Sequence, residues 1–217
     1  MVAGIWGRSV MLEDRLNRHD KCYYENGVLM YQGRHVIKKD LPIDGGVCMG
    51  AGEREAIVVD SKKYSGINRL YEIAKQKATE GGKVRRNLAL EAIYDTVNEA
   101  MSYDHNGVMD KYMEDRGLDR DGKVTLDVYI QNKLGVCRHM ALACGVFIEK
   151  FNKDGILRGK ASIDRNENGR GAHEWCRYTA HSGDTVILDV AQHKFGLLKE
   201  MPSNQRWPYE RPGEQAN

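Results

Sequence analysis

The sequence predicts an α+β fold in which a helix beginning at Cys137 packs against an antiparallel sheet, with a small β-rich extension in front of it. Three observations lead there. Paired turn formers break residues 1–64 into short apolar runs. Residues 65–103 carry two apolar stripes at helical spacing. Residues 135–190 read as a helix followed by two strands joined by a tight turn.

In the first stretch, Asn26-Gly27 separates Cys22-Tyr23-Tyr24 from Val28-Leu29-Met30-Tyr31, and Asn-Gly tolerates the positive φ angles that a two-residue hairpin turn needs. Gly45-Gly46 and Gly50-Ala51-Gly52 interrupt the chain again before the apolar run Ala56-Ile57-Val58-Val59. No group of reactive side chains stands out here. Ser65 then offers an N-cap to a helix whose stripe is Ile67, Leu70, Tyr71, Ile73 and Ala74 and which closes near Gly81-Gly82. A second helix is expected from about Arg85 to Tyr103, with Leu88, Leu90, Ile93, Val97, Ala100 and Met101 at helical spacing.

Residues 104–123 are polar and punctuated by glycine. Within them Asp119-Arg120-Asp121-Gly122 has the composition of a calcium loop, but its register puts Gly117 at the first ligand position and Val128 at the last, where a carboxylate is required. The fragment Asp164, Asn166, Asn168, Gly169 fails in the same way, with Trp175 at the closing position; both are read as turns.

Composition narrows the function classes. Hydrophobic residues make up 41% and charged residues 29% of the 217, which suits a packed domain and not a disordered one. The 33 Lys and Arg against 31 Asp and Glu leave a formal +2, too little to read as a nucleic-acid or anionic-membrane binder. The longest apolar run, Met140–Ile148, is far short of the roughly 18 residues of a spanning helix. The opening MVAGIWGRSV lacks the basic lead and long apolar region of a signal peptide, so a cytoplasmic location is expected, with export by a non-classical route left open. Five cysteines, an odd number at irregular spacing, read as reduced thiols. Cys137, His139, Cys144, His173 and Cys176 lack the paired short spacings of a zinc site, so no zinc is expected, and the thiol chemistry developed below requires neither a metal nor an organic cofactor.

The chemistry is concentrated after Gly135-Val136-Cys137. Met140, Cys144, Phe147, Ile148 and Phe151 follow at helical spacing, which puts Cys137 in the first turn of a buried helix and Cys144 in its apolar stripe. The partial positive charge and unpaired N–H groups of a helix N-terminus favour a thiolate and can hold a developing oxyanion. A thiolate nucleophile needs a base, and the base needs an orienting group. Ala172 to Tyr178 reads as a strand, His181-Ser182-Gly183-Asp184 as its turn, and Thr185 to Val190 as the partner strand, so His173 and Asp189 can lie side by side.

These residues give a resemblance. Gly135, Cys137 and Ala141, followed by His173 and Trp175 and then by Asp189, resemble the G-x-C-x-x-x-A helix start, H-x-W strand and later Asp of the transglutaminase-like branch of the papain-like superfamily. The likeness covers roughly residues 85–200. It implies a papain-like core with Cys137 as nucleophile, His173 as general base and acid, and Asp189 as orienting carboxylate. The turn-broken residues 1–64 read as an N-terminal β-rich extension, and by the resemblance residues 65–217 form a transglutaminase-like catalytic domain. Protein or peptide amides would be the substrates, acting as protease, glutamine deamidase or transglutaminase substrates alike, since the three activities share one triad. Small domains of this kind also serve as effectors that modify host proteins. The alternative is a catalytically inactive binding module with the same fold.

Around the triad, Gln131 stands six residues before Cys137, the offset of the oxyanion Gln in papain-like proteases, with Tyr129 and Asn132 as competitors. His139 is about 200° round the helix from Cys137 and is read as a supporting or surface group. Trp175 shares the strand face of His173 and would wall the site, whereas Glu174 and Cys176 face the other side. Asp184 is read as a turn residue, and His181 and His193 as loop residues.

Overall fold

The computed structural model describes residues 21–49, 55–118, 122–167 and 172–214. Among them the fold is mixed α+β with six α-helices and several small sheets. Strands β1 (Cys22–Glu25), β2 (Val28–Tyr31) and β3 (Arg34–His35) form an antiparallel meander. The expected hairpin is present: Asn26 and Gly27 both take positive φ, 50° and 77°, and Glu25 pairs with Val28 across them. Next come β4 (Val47–Met49) and β5 (Ala56–Val58), which pair antiparallel. The Gly50-Ala51-Gly52 break lies outside the described residues.

Helix α1 spans Ser65–Lys77, and its N-cap is Tyr64, not Ser65. The capping oxygens come instead from Asp127, distant in sequence, which accepts from the Gly66 N–H at 2.7 Å and the Ile67 N–H at 3.0 Å. A Cβ at position 66 would lie 2.8 Å from that carboxylate, so the glycine makes room for the cap. Asp127 is buried, and Asp127→Ala should cost about 2 kcal/mol by orphaning two N–H groups. A urea midpoint unchanged from wild type would contradict this.

After α1, β6 (Thr79–Glu80) and β7 (Lys83–Val84) make a tight hairpin at Gly81-Gly82, and α2 spans Arg86–Ala100. Then follow β8 (Ser102–Tyr103), α3 (Val108–Glu114), β9 (Lys123–Thr125), α4 (Leu126–Asn132) and β10 (Leu134–Gly135). β9 pairs parallel with β5, and β10 parallel with β8. Residues Asp119, Arg120 and Asp121 lie outside the described residues.

Helix α5, Cys137–Lys153, is the centre of the molecule: Arg138 through Ile148 are all buried. It packs on an antiparallel four-stranded sheet of β11 (Gly159–Glu167), β12 (Ala172–Ala180), β13 (Thr185–Asp189) and β14 (Lys194–Leu197), in that order. Asp164 and Asn166, read as turn residues, sit within β11, where the pairings of their side chains with the C-terminal segment outweigh turn propensity. Asn168 and Gly169 lie outside the described residues. Strand alternation sends Cys176, Tyr178 and Leu188 toward α5, and Trp175 and Ile187 to the opposite face. There, Leu198 and Tyr209 cover them, from a C-terminal segment that includes the short helix α6, Ser203–Arg206.

Residues on both sides of position 64 share the main core: Ile43, Cys48, Ile57 and Val59 pack with Ile67, Ile93, Phe147 and Phe151. Gly145 lets this happen, since a Cβ there would overlap Ile43. Glu149 on α5 also accepts from the Ile43 and Asp44 N–H groups, both at 2.7 Å.

Candidate active site

Cys137 is the first residue of α5 and is partly exposed. Its N-cap, Val136, is extended, with φ −109° and ψ −178°. The usual capping acid is replaced by His139, whose Nδ1 accepts from the Val136 N–H at 2.9 Å. Since Nδ1 accepts, Nε2 carries the ring proton and donates to Glu55 Oε1 at 3.3 Å. His139 is therefore a buried supporting group, 2% exposed and stacked on Tyr129, and not a surface one.

Glu55 was not legible in the sequence. Its carboxylate also receives Arg138 Nη2, at 2.6 Å and 2.7 Å to its two oxygens, and the Tyr129 hydroxyl. Burial would raise its pKa, but the donors His139, Arg138 and Tyr129 outweigh it and bring the carboxyl down to about 2. Glu55 and Tyr129, from two other segments, thus brace the two residues that follow Cys137. Gly135 completes the bracing: a Cβ there would come within 2.8 Å of Met101 Cε and 2.9 Å of His139 Cβ. The glycine of the G-x-C pattern is required by this close approach.

His173, the second residue of β12, and Asp189, the last of β13, meet as expected, with His173 Nε2 at 2.6 Å from Asp189 Oδ2. A carboxylate only accepts, so Nε2–H is the donor, and the Cys137 thiol is among the groups near enough to act on the imidazole. Burial works against the charge on His173, but the hydrogen bonds and charges of Asp189 and Cys137 prevail and raise its pKa to about 9. The imidazolium form is therefore favoured at neutral pH.

Trp175 is fully buried and lies against the His173 ring, with centroids 5.9 Å apart and planes at 27°. Gln131 is exposed near the end of α4 and, among the described residues, hydrogen-bonds with none of the three. The Cys137 N–H stands in the first turn of its helix, where no preceding turn supplies an intrahelical acceptor. Asp184 occupies an exposed turn, bonded to Ser182 and paired with Lys199. Burial pushes the thiols of Cys48, Cys144 and Cys176 well up.

A second residue that sequence reasoning missed is Tyr209. Its O–H donates to Asp189 Oδ2 at 2.8 Å, while the Gln192 N–H donates to Oδ1 at 3.1 Å. Nothing in the local pattern around Tyr209 marks it, because its place depends on the C-terminal segment folding back over the sheet. Among the described residues no group of three or more His, Cys, Asp or Glu side chains could hold a metal ion, and no helix is long and apolar enough to cross a membrane. Compared with protein-family models, curated proteins and solved structures, the chain matches none.

Proposed function

We propose that the protein is a cysteine-dependent acyl-transfer enzyme of transglutaminase-like kind, acting on protein or peptide amides through a Cys137–His173–Asp189 triad. One observation carries the reading: His173, whose pKa a helix-terminal thiol helps to raise, lies with its Nε2 2.6 Å from the buried Asp189 carboxylate. The Cys137 thiolate attacks the amide carbonyl carbon, and the oxyanion that forms takes the Cys137 N–H. The C–N bond breaks as His173 gives its proton to the departing amine or ammonia, leaving a thioester. Neutral His173 then takes a proton from water or from a second amine as that nucleophile attacks, and the sulfur is released. Water gives hydrolysis or glutamine deamidation; a lysine amine gives a cross-link. The three residues supply nucleophile, acid–base group and orienting charge without a cofactor.

Thiol reactivity tests the reading before any substrate is known. Iodoacetamide at mildly acidic pH should label Cys137 rapidly and singly, read by intact mass and peptide mapping, and His173→Ala should abolish that preference. Slow, equal labelling of all five cysteines would instead favour a binding module. Incubation of a glutamine peptide with and without a fluorescent primary amine then separates deamidation from cross-linking.

A further inference from the structure

The orienting carboxylate is shared. Asp189 Oδ2 receives both His173 Nε2–H, at 2.6 Å, and the Tyr209 O–H, at 2.8 Å, while Oδ1 is committed to the Gln192 backbone. Tyr209 is held in place with care: it is 3% exposed, its ring meets Trp175 edge-on at 5.1 Å, and its carbonyl accepts from Arg177 Nη1 at 3.2 Å. On one side of it Asn166 donates to the Pro208 carbonyl at 2.8 Å. On the other, Arg211 forms a two-pronged pair with Asp164, at 2.6 Å and 2.7 Å, and reaches Asp40 as well. The C-terminal segment is thus clamped so that one hydroxyl lands on the carboxylate that His173 uses.

We propose that Tyr209 is a positioning residue that divides the Asp189 carboxylate with His173 and so limits how firmly Asp189 holds the imidazole. The proposal rests on the acyl-transfer reading above, because its value is catalytic. His173 must give up its proton in the first half of the cycle and take one in the second. A carboxylate with a single strong partner would trap the imidazolium, and a second donor on the same oxygen weakens that hold. Tyr209 can only donate to a carboxylate, and burial together with the Asp189 charge pushes its phenol pKa up, so the donor persists across the working pH range. The other titratable groups near the pair are Cys137 and the buried Cys144 of α5 and Tyr94 of α2, whose pKa Asp189 also raises. Lys194 lies across from Asp189 on β14, but its ammonium is bonded to Gln205.

The test is a histidine NMR titration of the full chain, with the His173 signals assigned by their loss in His173→Gln. Tyr209→Phe removes only the hydroxyl and should move the His173 pKa upward by roughly one pH unit. Difluorotyrosine placed at position 209 is a stronger donor and should move it downward. Tyr94→Phe, which changes no hydrogen bond to Asp189, should leave it in place. A role confined to holding the segment down would lower the pKa in Tyr209→Phe or leave it unmoved, and either result overturns the proposal. Iodoacetamide labelling of the wild type, run in parallel, reports separately on the acyl-transfer reading: loss of selective labelling removes that reading without touching the titration.

Discussion

Cys137→Ala is expected to abolish turnover of peptide amides, by at least a thousandfold, while the protein still unfolds within a few tenths of a kcal/mol of wild type. The separation follows from position. The thiol is only partly buried, at the start of α5, and the brace that holds this helix end runs through Arg138 and His139. Asp189→Asn should act differently. Wild-type acylation should fall as pH rises through about 9, where the His173 imidazolium that protonates the leaving amine is lost. The Asp189 hydrogen bond and charge raise that pKa from an ordinary 6.5, so without the charge the alkaline limb should move to lower pH. The same raised pKa stabilises the fold below about pH 6.5, and that contribution is lost as pH climbs through about 9. Rate against pH for wild type and Asp189→Asn checks the limb, and urea midpoints measured across the same pH range check the stability; an alkaline limb that stays in place in Asp189→Asn would remove Asp189 from its orienting role.

What could be read from the sequence was local. Asn26-Gly27, the stripe of α5 and the strand–turn–strand of residues 172–189 each fix their form within a few residues, so periodicity and turn chemistry located them. The pairing of His173 with Asp189 followed from that hairpin, because two residues on one face of adjacent strands are neighbours whatever the rest of the chain does. Apart from Gln131, whose short offset from Cys137 does not bring it to the triad, the misses were long-range. Ser65 is a good capping residue by type, yet Asp127 arrives from α4 and takes the role. Asp164 and Asn166 are turn formers by type, yet their side chains are satisfied by Arg211 and by the Pro208 carbonyl, which lets them stay in a strand. Glu55 and Tyr209, which complete the site from its two ends, come from stretches with no motif at all. A contact made by a chain returning over a sheet leaves no periodic trace.

Glu55→Gln is expected to be the most destabilising conservative change in the molecule, by about 3 kcal/mol. The variant keeps the shape of the side chain and its capacity to accept from Tyr129, but it strands the Arg138 guanidinium, which is 3% exposed and pairs with Glu55 through Nη2, its Nε and Nη1 having no partner among the described residues. An uncompensated buried cation is the costly product, so the second change Arg138→Met should restore much of the loss, a coupling that a urea-denaturation double-mutant cycle measures directly. The sign with pH is the reverse of that for His173. Glu55 has its pKa depressed from 4.5 to about 2, so its contribution is complete above pH 4.5 and disappears as pH falls through 2; the stability gap between wild type and Glu55→Gln should close over that interval. Because Arg138 and His139 directly follow Cys137, Glu55→Gln should also slow selective alkylation of Cys137, and Glu55→Gln/Arg138→Met should recover stability without recovering that reactivity, since His139 still lacks its anionic acceptor. A Glu55→Gln protein that is as stable and as selectively labelled as wild type would show that the cluster fills space behind the nucleophile without holding it.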